Sequence, residues 1–193
     1  FLSRSGRDWY KVTADAVYQN LYYVEEQKVD EVLILAGDHI YAMRYDHMIN
    51  SHRSRGADVT VGVVEVPILE ASRFGIITLD HNERVVAFDE KPQEPKSNLS
   101  SMGIYVFNKD VLIEVLGEDA ERKGSHDFGR DILPQIISTH KVYGYRYRGY
   151  WRDVGTVDSY WQANMDLIVD LPDLNLYNPE TEVRTVFQNM PPA

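Results

Sequence analysis

The amino-acid sequence predicts an α/β fold with a mixed, mainly parallel sheet and helices on both of its faces. Helical and strand patterns alternate through the first third of the chain, and the segment "EVLILA" at residues 31–36 is almost entirely apolar. Apolar strands that are joined by helices are typical of a parallel sheet that is buried on both faces. The segments "FGIITLD" and "RVVAFDEKP" instead predict an antiparallel hairpin with a polar turn at residues 80–83, so the sheet is expected to be mixed.

The helices are predicted from apolar periodicity and from signals at their ends. "TADAVYQNLYYVEEQ" predicts one helix with Thr13 as its N-cap, and a second helix is expected from about Tyr45 to Arg55, ended by Gly56. "HDFGRDILPQIIS" looks helical, but Pro134 predicts a kink or a break near Leu133. "TVDSYWQANMDLIV" predicts a last helix that is capped by Thr156.

Three further strands or strand–helix units are predicted along the chain. "ADVTVGVVEVP" places Val59, Val61 and Val63 on one face of a strand, and "SSMGIYVF" predicts a strand that leads into the helix "DVLIEVLGE". "KVYGYRYRGYW" alternates in the way expected of one continuous strand.

Composition excludes several classes of function. The 193 residues carry a formal net charge of −10, which argues against a basic surface for nucleic acid. The absence of cysteine excludes disulfides, thiolate catalysis and cysteine metal sites, and it fits a reducing compartment. No apolar run approaches the roughly 20 residues of a membrane span. Neither a nucleic acid nor a membrane is therefore an expected partner.

Two acidic residues, Asp38 and Asp153, each follow a predicted strand, in "LAGDHIY" and "YWRDVGT". Charge is costly inside a core, and ligands of open α/β sheets bind beyond the carboxyl ends of the strands. Mg²⁺ is typically held by one or two carboxylates together with substrate phosphates. The two aspartates are therefore candidate ligands of one divalent cation. The alternative is that each of them only ends its strand or caps the next helix.

Two other segments offer candidate ligand-binding residues. In "FDEKP", Lys91 is a compact cation that can contact a phosphate, and strand alternation argues against a simple surface pair between Glu90 and Lys91. In "SSMGIYVF", Ser101 can hydrogen-bond a sugar hydroxyl, and Gly103 permits a ligand to approach the backbone. The alternatives are a solvated strand end for the first segment and a bulge at Gly103 for the second.

The remaining residues show no other catalytic pattern. His47 and His52 lie five positions apart in a predicted helix and do not share a face, so both are expected at the surface.

Taken in order, a set of segments resembles the glucose-1-phosphate adenylyltransferases. The segments are "WYKVTADAVYQN", "VLILAGDHIY", "FGIITLD", "FDEKP", "SSMGIYVF", "HDFGRDILP" and "YWRDVGT". They span almost the whole chain, and their order is more specific than any one of them. The resemblance implies a nucleotide-diphospho-sugar transferase (Rossmann-like) fold. It also implies that ATP and glucose 1-phosphate react to ADP-glucose and pyrophosphate, which supplies glycogen and starch synthesis.

The resemblance also implies roles for individual residues. Asp38, Lys91 and Asp153 are the implied catalytic residues, and Asp38 and Asp153 are the implied ligands of Mg²⁺. The implied substrate-binding residues are Glu90, Lys91, Ser101 and Gly103, and the implied nucleotide-binding residues are Thr13, Ala14, Asp15 and Gly37. For the full-length protein, the resemblance implies a cytoplasmic homotetramer that is regulated by metabolites.

Two departures from the family pattern bear on these expectations. Val12 stands where the family usually has glycine, and a β-branched residue resists positive φ, so either weaker nucleotide binding or an altered local backbone path is expected. The family's glycine-rich phosphate loop and its C-terminal left-handed β-helix are not recognised in these residues. Residues 1–170 are therefore expected to be a partial catalytic domain that is inactive alone, and residues 171–193 a linker toward the β-helix.

Two rival functions stay open at this stage. The first is a sugar-1-phosphate nucleotidyltransferase that uses UTP or dTTP. The second is a regulatory subunit that binds a sugar nucleotide without turnover. The presence of Asp38, Lys91 and Asp153 argues against the second, because a silent subunit has no chemical need for all three.

Overall fold

The computed structural model describes residues 10–181 of the 193-residue chain. These residues fall into two compact units, one of residues 10–36 and 46–148 and the other of residues 37–45 and 149–181. The first unit contains a six-stranded sheet and the second a two-stranded sheet. The predicted boundary at residue 170 stays a prediction, and residues 182–193 of the predicted linker lie outside the described residues.

In chain order, the strands are β1 (Glu31–Leu35), β2 (His39–Tyr41), β3 (Val59–Glu65), β4 (Gly75–Leu79), β5 (Val85–Glu90), β6 (Leu99–Asn108), β7 (Val142–Tyr147) and β8 (Trp151–Asp153). The α-helices are α1 (Thr13–Tyr18), α2 (Leu21–Glu25), α3 (Tyr45–Arg55), α4 (Lys109–Glu121), α5 (Leu133–Ile136) and α6 (Val157–Asp166). A π-helical turn spans Phe128–Ile132, and 3₁₀ turns span Ala71–Arg73 and Pro179–Thr181. Among the described residues, none of the helices is long and apolar enough to cross a membrane.

The large sheet has the strand order β5-β4-β6-β3-β7, and β1 also pairs with β6. The prediction of a mixed sheet is confirmed, but the prediction that most of its strand pairs are parallel needs correction. Only β3 and β7 are parallel neighbours among the described strands, and the other pairings are antiparallel. The pairings make β1, β3, β4 and β7 run in one direction, with the long strand β6 opposed to them. Because β6 is apolar along most of its length, its sequence does not differ from that of a buried parallel strand.

Helices cover both faces of this sheet, as predicted. Val59, Val61 and Val63 point into one apolar core, which also contains residues of α1, α4 and α5. Successive residues of a strand point to opposite faces. Thr60 therefore points to the other face, where its Oγ1 lies 2.9 Å from Nδ1 of His52 in α3.

His52 is a buried structural residue, so the expectation that it lies at the surface is wrong. Its side chain is almost inaccessible. Its second ring nitrogen lies 3.0 Å from Oδ1 of Asn108. Both nitrogens are thus paired inside the fold, and the expected exposure holds for His47, whose side chain is 57% exposed.

The first predicted helix is divided into α1 and α2 at residues 19–20. The side-chain amide of Asn20 donates to the carbonyl of Ala16 at 2.8 Å, a local bond of the kind that competes with helix continuation. The N-cap is Val12 rather than Thr13, and Val12 is extended at φ −152°. This position does not require positive φ, so the valine causes no backbone strain here.

Of the remaining local predictions, two are confirmed and two need correction. Strands β4 and β5 form the predicted antiparallel hairpin. The predicted break near Leu133 is not found, because the π-helical turn ends at Ile132 and α5 begins at the next residue with helical backbone angles on both sides. What changes there is the hydrogen-bonding pattern, from π-helical to α-helical. The hydroxyl of Thr156 accepts the N–H of Ser159 and caps α6. The segment "KVYGYRYRGYW" is not one strand, because β7 ends at Tyr147 and β8 begins at Trp151.

Candidate functional site

Two carboxylates and an imidazole converge in the smaller unit. Strands β2 and β8 are antiparallel, and His39 lies opposite Asp153 in their register. Asp38 directly precedes β2, and its carbonyl accepts the N–H of Val154 at 2.9 Å. Candidate ligand atoms of Asp38, His39 and Asp153 all lie within 4.8 Å of one another. The short strand pair therefore brings together two residues that are 115 positions apart in sequence.

This carboxylate cluster is open to solvent and shaped by a glycine. The side chain of Asp38 is 63% exposed, and its Oδ1 lies 3.6 Å from Nε2 of His39. The N–H of Gly155 donates to Oδ1 of Asp153 at 2.7 Å. A Cβ at Gly155 would lie 3.0 Å from that oxygen and 3.7 Å from Oδ2 of Asp38. The missing side chain thus leaves space directly beside both carboxylates.

The donor set of the cluster fits a divalent cation. Two ligands around an ion with metal–oxygen distances of about 2.1 Å are separated by about 3 to 4 Å. The candidate ligand atoms, all within 4.8 Å of one another, can reach this separation with small side-chain movements. Two carboxylates with room beside them match the Mg²⁺ sites that leave positions for phosphate and water. His39 was not among the predicted ligands, although its place next to Asp38 in the sequence was a usable signal.

In the larger unit, Glu90 and Lys91 are adjacent in space as well as in sequence. Lys91 has a φ of 48°, so strand alternation stops at Glu90. Its N–H donates to the carbonyl of Phe74, and its Nζ lies 4.0 Å from Oε1 of Glu90. The expectation that the two side chains diverge is therefore wrong, because it assumed that the strand continued through Lys91.

The carboxylate of Glu90 lies in a space left by two glycines. A Cβ at Gly129 would lie 2.9 Å from Oε2 of Glu90, and one at Gly75 would lie 3.0 Å from it. Burial raises the pKa of the Glu90 carboxyl, and the nearby charge of Asp127 also raises it, while Lys91 lowers it. A half-buried carboxylate is suited to accept hydrogen bonds from ligand hydroxyls.

Ser101 and Gly103 lie at a bulge in β6. The pairing of β3 with β6 shifts register between Val61 and Val63, and Gly103 has a φ of 64°. The bulge interpretation of Gly103 is thus confirmed. Oγ of Ser101 accepts the N–H of Gly103 at 3.3 Å. It also lies 3.5 Å from the hydroxyl of Tyr105.

Tyr105 and Asp127 extend this group beyond the residues predicted from the sequence. Burial raises the pKa of Tyr105 to about 12. Its hydroxyl, which any tyrosine keeps protonated at neutral pH, can donate a hydrogen bond. Oδ1 of Asp127 accepts the N–H groups of Gly129 and Arg130 and caps the π-helical turn. Tyr105 follows Ser101 by four residues in "SSMGIYVF", and Asp127 belongs to "HDFGRDILP", so both lie in segments that carry the family resemblance.

The segment Thr13–Asp15 is held by contacts within the larger unit. The hydroxyl of Thr13 donates to Oδ2 of Asp127 at 3.0 Å. The N–H groups of Ala14 and Asp15 donate to the carbonyl of His126. Ala14 is fully buried, so its side chain is part of the core rather than of a ligand surface.

The structure thus brings the predicted residues into separate groups. Asp38 meets Asp153 in the smaller unit. In the larger unit, Glu90 meets Lys91, Ser101 meets Gly103, and Thr13 meets the added residue Asp127. Gly37 is exposed, and a Cβ built on it would meet nothing within 4 Å. Its assignment to the nucleotide, like that of Thr13, Ala14 and Asp15, stays a prediction.

Comparison with known proteins gives a consistent result. Residues 4–169 match the family model described as nucleotidyl transferase. The chain is similar to the glucose-1-phosphate adenylyltransferase of Thermotoga neapolitana, at 50% identity over 196 residues that cover 100% of this chain and 46% of the relative. It is also 50% identical to the enzyme of that name from Halalkalibacterium halodurans over 194 residues, covering 100% of this chain and 51% of the relative. The chain spans about half the length of these curated relatives.

Proposed function

The chain belongs to the nucleotidyl transferase family, whose domain has the nucleotide-diphospho-sugar transferase fold, and from this premise we propose that its protein is a glucose-1-phosphate adenylyltransferase. A phosphate oxygen of glucose 1-phosphate forms a bond to the α-phosphorus of ATP. The bond between this phosphorus and the oxygen that bridges to the β-phosphate breaks. The products are ADP-glucose and pyrophosphate. The observation that carries the proposal is the convergence of Asp38 and Asp153. It is supported by the name shared by relatives at about half identity.

The carboxylate cluster of the smaller unit is assigned to the cation that this reaction uses. Asp38 and Asp153 would hold Mg²⁺, which neutralises charge on the phosphates of the nucleotide. Their placement at the ends of a paired backbone fixes the negative charges before substrate arrives, so little reorganisation is needed. Phosphoryl chemistry of this kind depends mainly on positioning and charge stabilisation rather than on a covalent nucleophile. This requirement fits a chain that contains no cysteine.

Residues of the larger unit supply the sugar end. Lys91 contacts the phosphate of glucose 1-phosphate, for which its exposed ammonium group is suited. The Glu90 carboxylate accepts hydrogen bonds from glucose hydroxyls. Ser101 adds a hydroxyl group that can donate to or accept from the sugar, and the buried hydroxyl of Tyr105, 3.5 Å away, can orient it. Gly103 permits the backbone next to them to approach the ligand.

The nucleotide end is assigned to Thr13–Asp15 and Gly37. The side chain of Ala14 does not take part directly, since it is buried, and the contribution of this segment is the shape of its backbone. Gly37 lets a nucleotide approach the main chain without a side chain in the way. For the full-length protein we further propose a cytoplasmic homotetramer that supplies ADP-glucose for glycogen or starch synthesis.

The test is a steady-state assay of the full-length protein with glucose 1-phosphate and Mg²⁺ against ATP, UTP and dTTP. The proposal predicts pyrophosphate release with ATP at a kcat/KM that exceeds those of the other two nucleotides. Preference for UTP or dTTP would keep the family and overturn the nucleotide. Binding of ADP-glucose without turnover by any nucleotide would point to the silent regulatory subunit instead.

A further inference from the structure

Beyond the candidate substrate residues, the larger unit contains a buried pair of titratable side chains, His126 and Asp119. They are 7% and 4% exposed. Nδ1 of His126 lies 2.8 Å from Oδ2 of Asp119, a distance at which the ring N–H donates to the carboxylate. Burying such groups is costly unless they are paired, so each one depends on the other. The pair joins α4, which carries Asp119, to the loop that precedes the π-helical turn.

The pair acts at a residue with an unusual backbone conformation. His126 has a φ of 60°, in the left-handed region that only a few per cent of residues other than glycine adopt, although histidine enters it more often than most. Such a conformation persists only where surrounding contacts hold it, and positions of this kind concentrate at functional sites. The bond from the imidazole to Asp119 is the side-chain contact that fixes this residue.

The conformation of His126 determines where its carbonyl group points. That carbonyl accepts the N–H of Ala14 at 3.0 Å and the N–H of Asp15 at 3.2 Å. Both donors belong to the first turn of α1, where backbone N–H groups have no partner within the helix. One oxygen atom, on a residue whose side chain is anchored to α4, thus accepts two of the N–H groups at the amino end of α1.

The next residue links the same loop to the carboxylate of Glu90. Asp127 accepts the hydroxyl of Thr13 through Oδ2 and the N–H groups of Gly129 and Arg130 through Oδ1. Gly129 in turn leaves the space beside the Glu90 carboxylate. The segment 126–130 therefore contacts both α1 and the pocket of Glu90.

We infer that His126 and Asp119 are positioning residues that hold the nucleotide-side segment 13–15 and the sugar-side segment 127–130 in one fixed arrangement. The assignment of these segments to the nucleotide and to the sugar rests on the proposed function, whereas the contacts between them do not. Neither side chain is assigned to a substrate. Their effect passes through the carbonyl of His126 and the backbone of Asp127.

The test compares four variants of the full-length protein. His126→Asn tolerates positive φ but shortens the side chain, so it removes the bond while keeping the backbone accessible. Asp119→Ala removes the acceptor, whereas Asp119→Asn keeps an oxygen that can accept the His126 N–H and serves as the conservative rescue. His52→Asn is the matched control, because His52 is an equally buried histidine paired with Thr60 and Asn108 on the other face of the sheet.

The first measurement is hydrogen exchange at individual amides. In His126→Asn and Asp119→Ala, exchange at Ala14 and Asp15 should accelerate by about tenfold or more relative to the amides of β3, since the acceptor that protects them is released. His52→Asn should not produce this local change, even where it lowers global stability. Unchanged protection at Ala14 and Asp15 in both variants would overturn the inference, whatever reaction the protein catalyses.

The second measurement is the kinetic effect. In the same two variants, kcat/KM for both ATP and glucose 1-phosphate should fall by about 10- to 100-fold, because a displacement of about 1 Å costs rates of this order. Asp119→Asn should recover both values to within a few-fold of wild type. Accelerated exchange with unchanged kcat/KM would show that His126 and Asp119 only stabilise the local structure, and it would overturn their positioning role. If the wild-type protein lacks adenylyltransferase activity, the proposed function falls and the catalytic part of the inference falls with it, whereas the exchange data still decide the structural part.

Discussion

Two carboxylates, Glu90 in the larger unit and Asp38 in the smaller one, are placed by different physical means. The side chain of Glu90 is 24% exposed and packs beside Phe88 and two glycines. The side chain of Asp38 is 63% exposed and is placed by a strand pair of three residues on each side. The first depends on the volume around it and the second on the backbone that carries it. Changes of volume should therefore affect Glu90, and changes of charge should affect Asp38.

The largest effect is expected at Asp38. Asp38→Asn keeps the shape of the side chain but removes the charge that would hold a cation, so kcat should fall by about 100-fold or more, the range seen when an electrostatic contact to the transition state is lost. Because the side chain is exposed, the free energy of unfolding should change by no more than about 0.5 kcal/mol. Steady-state kinetics and urea unfolding measure the two quantities. Asp158→Asn, at an exposed aspartate in α6, is the control, and near-normal turnover in Asp38→Asn would contradict the proposed cation site.

The second-largest effect is expected from substitution of Lys91. Lys91→Ala removes a charged contact to phosphate, so affinity for glucose 1-phosphate should fall by about tenfold or more. Lys91→Gly should bind equally weakly but be more stable than Lys91→Ala by about 1 kcal/mol, since the φ of 48° costs any residue with a Cβ. Titration calorimetry and urea unfolding test both statements. Lys96→Ala, at an exposed lysine nearby, should change neither, and an equal loss of affinity there would remove the special role of Lys91.

Gly129 tests the importance of volume around Glu90. In Gly129→Ala, the new Cβ would lie 2.9 Å from Oε2 of Glu90, and the flexible carboxylate must move away. The KM for glucose 1-phosphate should rise by about fivefold or more, because a displaced contact no longer matches the sugar. Gly117→Ala in α4 is the control, since nothing lies within 4 Å of the new Cβ. It should stabilise the helix by about 1 kcal/mol without altering KM, and an unchanged KM in Gly129→Ala would show that the carboxylate position is not decisive.

The smallest expected effect is a dependence of stability on pH. Burial raises the pKa of Glu90 in the folded state, so folding favours its protonated form. Its favourable contribution is therefore present at acidic pH and is lost as the pH rises through the raised pKa. Glu90→Gln should unfold at a higher temperature than wild type at pH 7, and the difference should shrink as the pH falls toward about 4. A difference that grows on acidification would show that the ionised form is the stabilised one.

The predictable parts of this protein were those whose cause is local. The valines of β3 follow from periodicity, and the N-cap of α6 follows from the chemistry of one residue. The convergence of Asp38 and Asp153 was predicted because both follow strands, although β2 and β8 are too short to show a period of their own. The partner strands of β6 were not predictable, because antiparallel and parallel central strands share one apolar pattern. The contact of Glu90 with Lys91 depends on the positive φ of Lys91. Lysine is not a residue type that predicts positive φ, so the sequence could not indicate this contact.

The most direct test of the account is thermal unfolding of the full-length protein with ADP-glucose, UDP-glucose and dTDP-glucose in Mg²⁺. A ligand that binds only the folded state raises the midpoint temperature of unfolding. At a ligand concentration of 100 times its Kd, it adds about 2.7 kcal/mol to the free energy of unfolding. The account predicts a rise with ADP-glucose that exceeds the other two and is lost in Lys91→Ala. An equal or larger rise with UDP-glucose or dTDP-glucose would contradict the adenylyl assignment, and a rise that persists in Lys91→Ala would contradict the sugar-phosphate site.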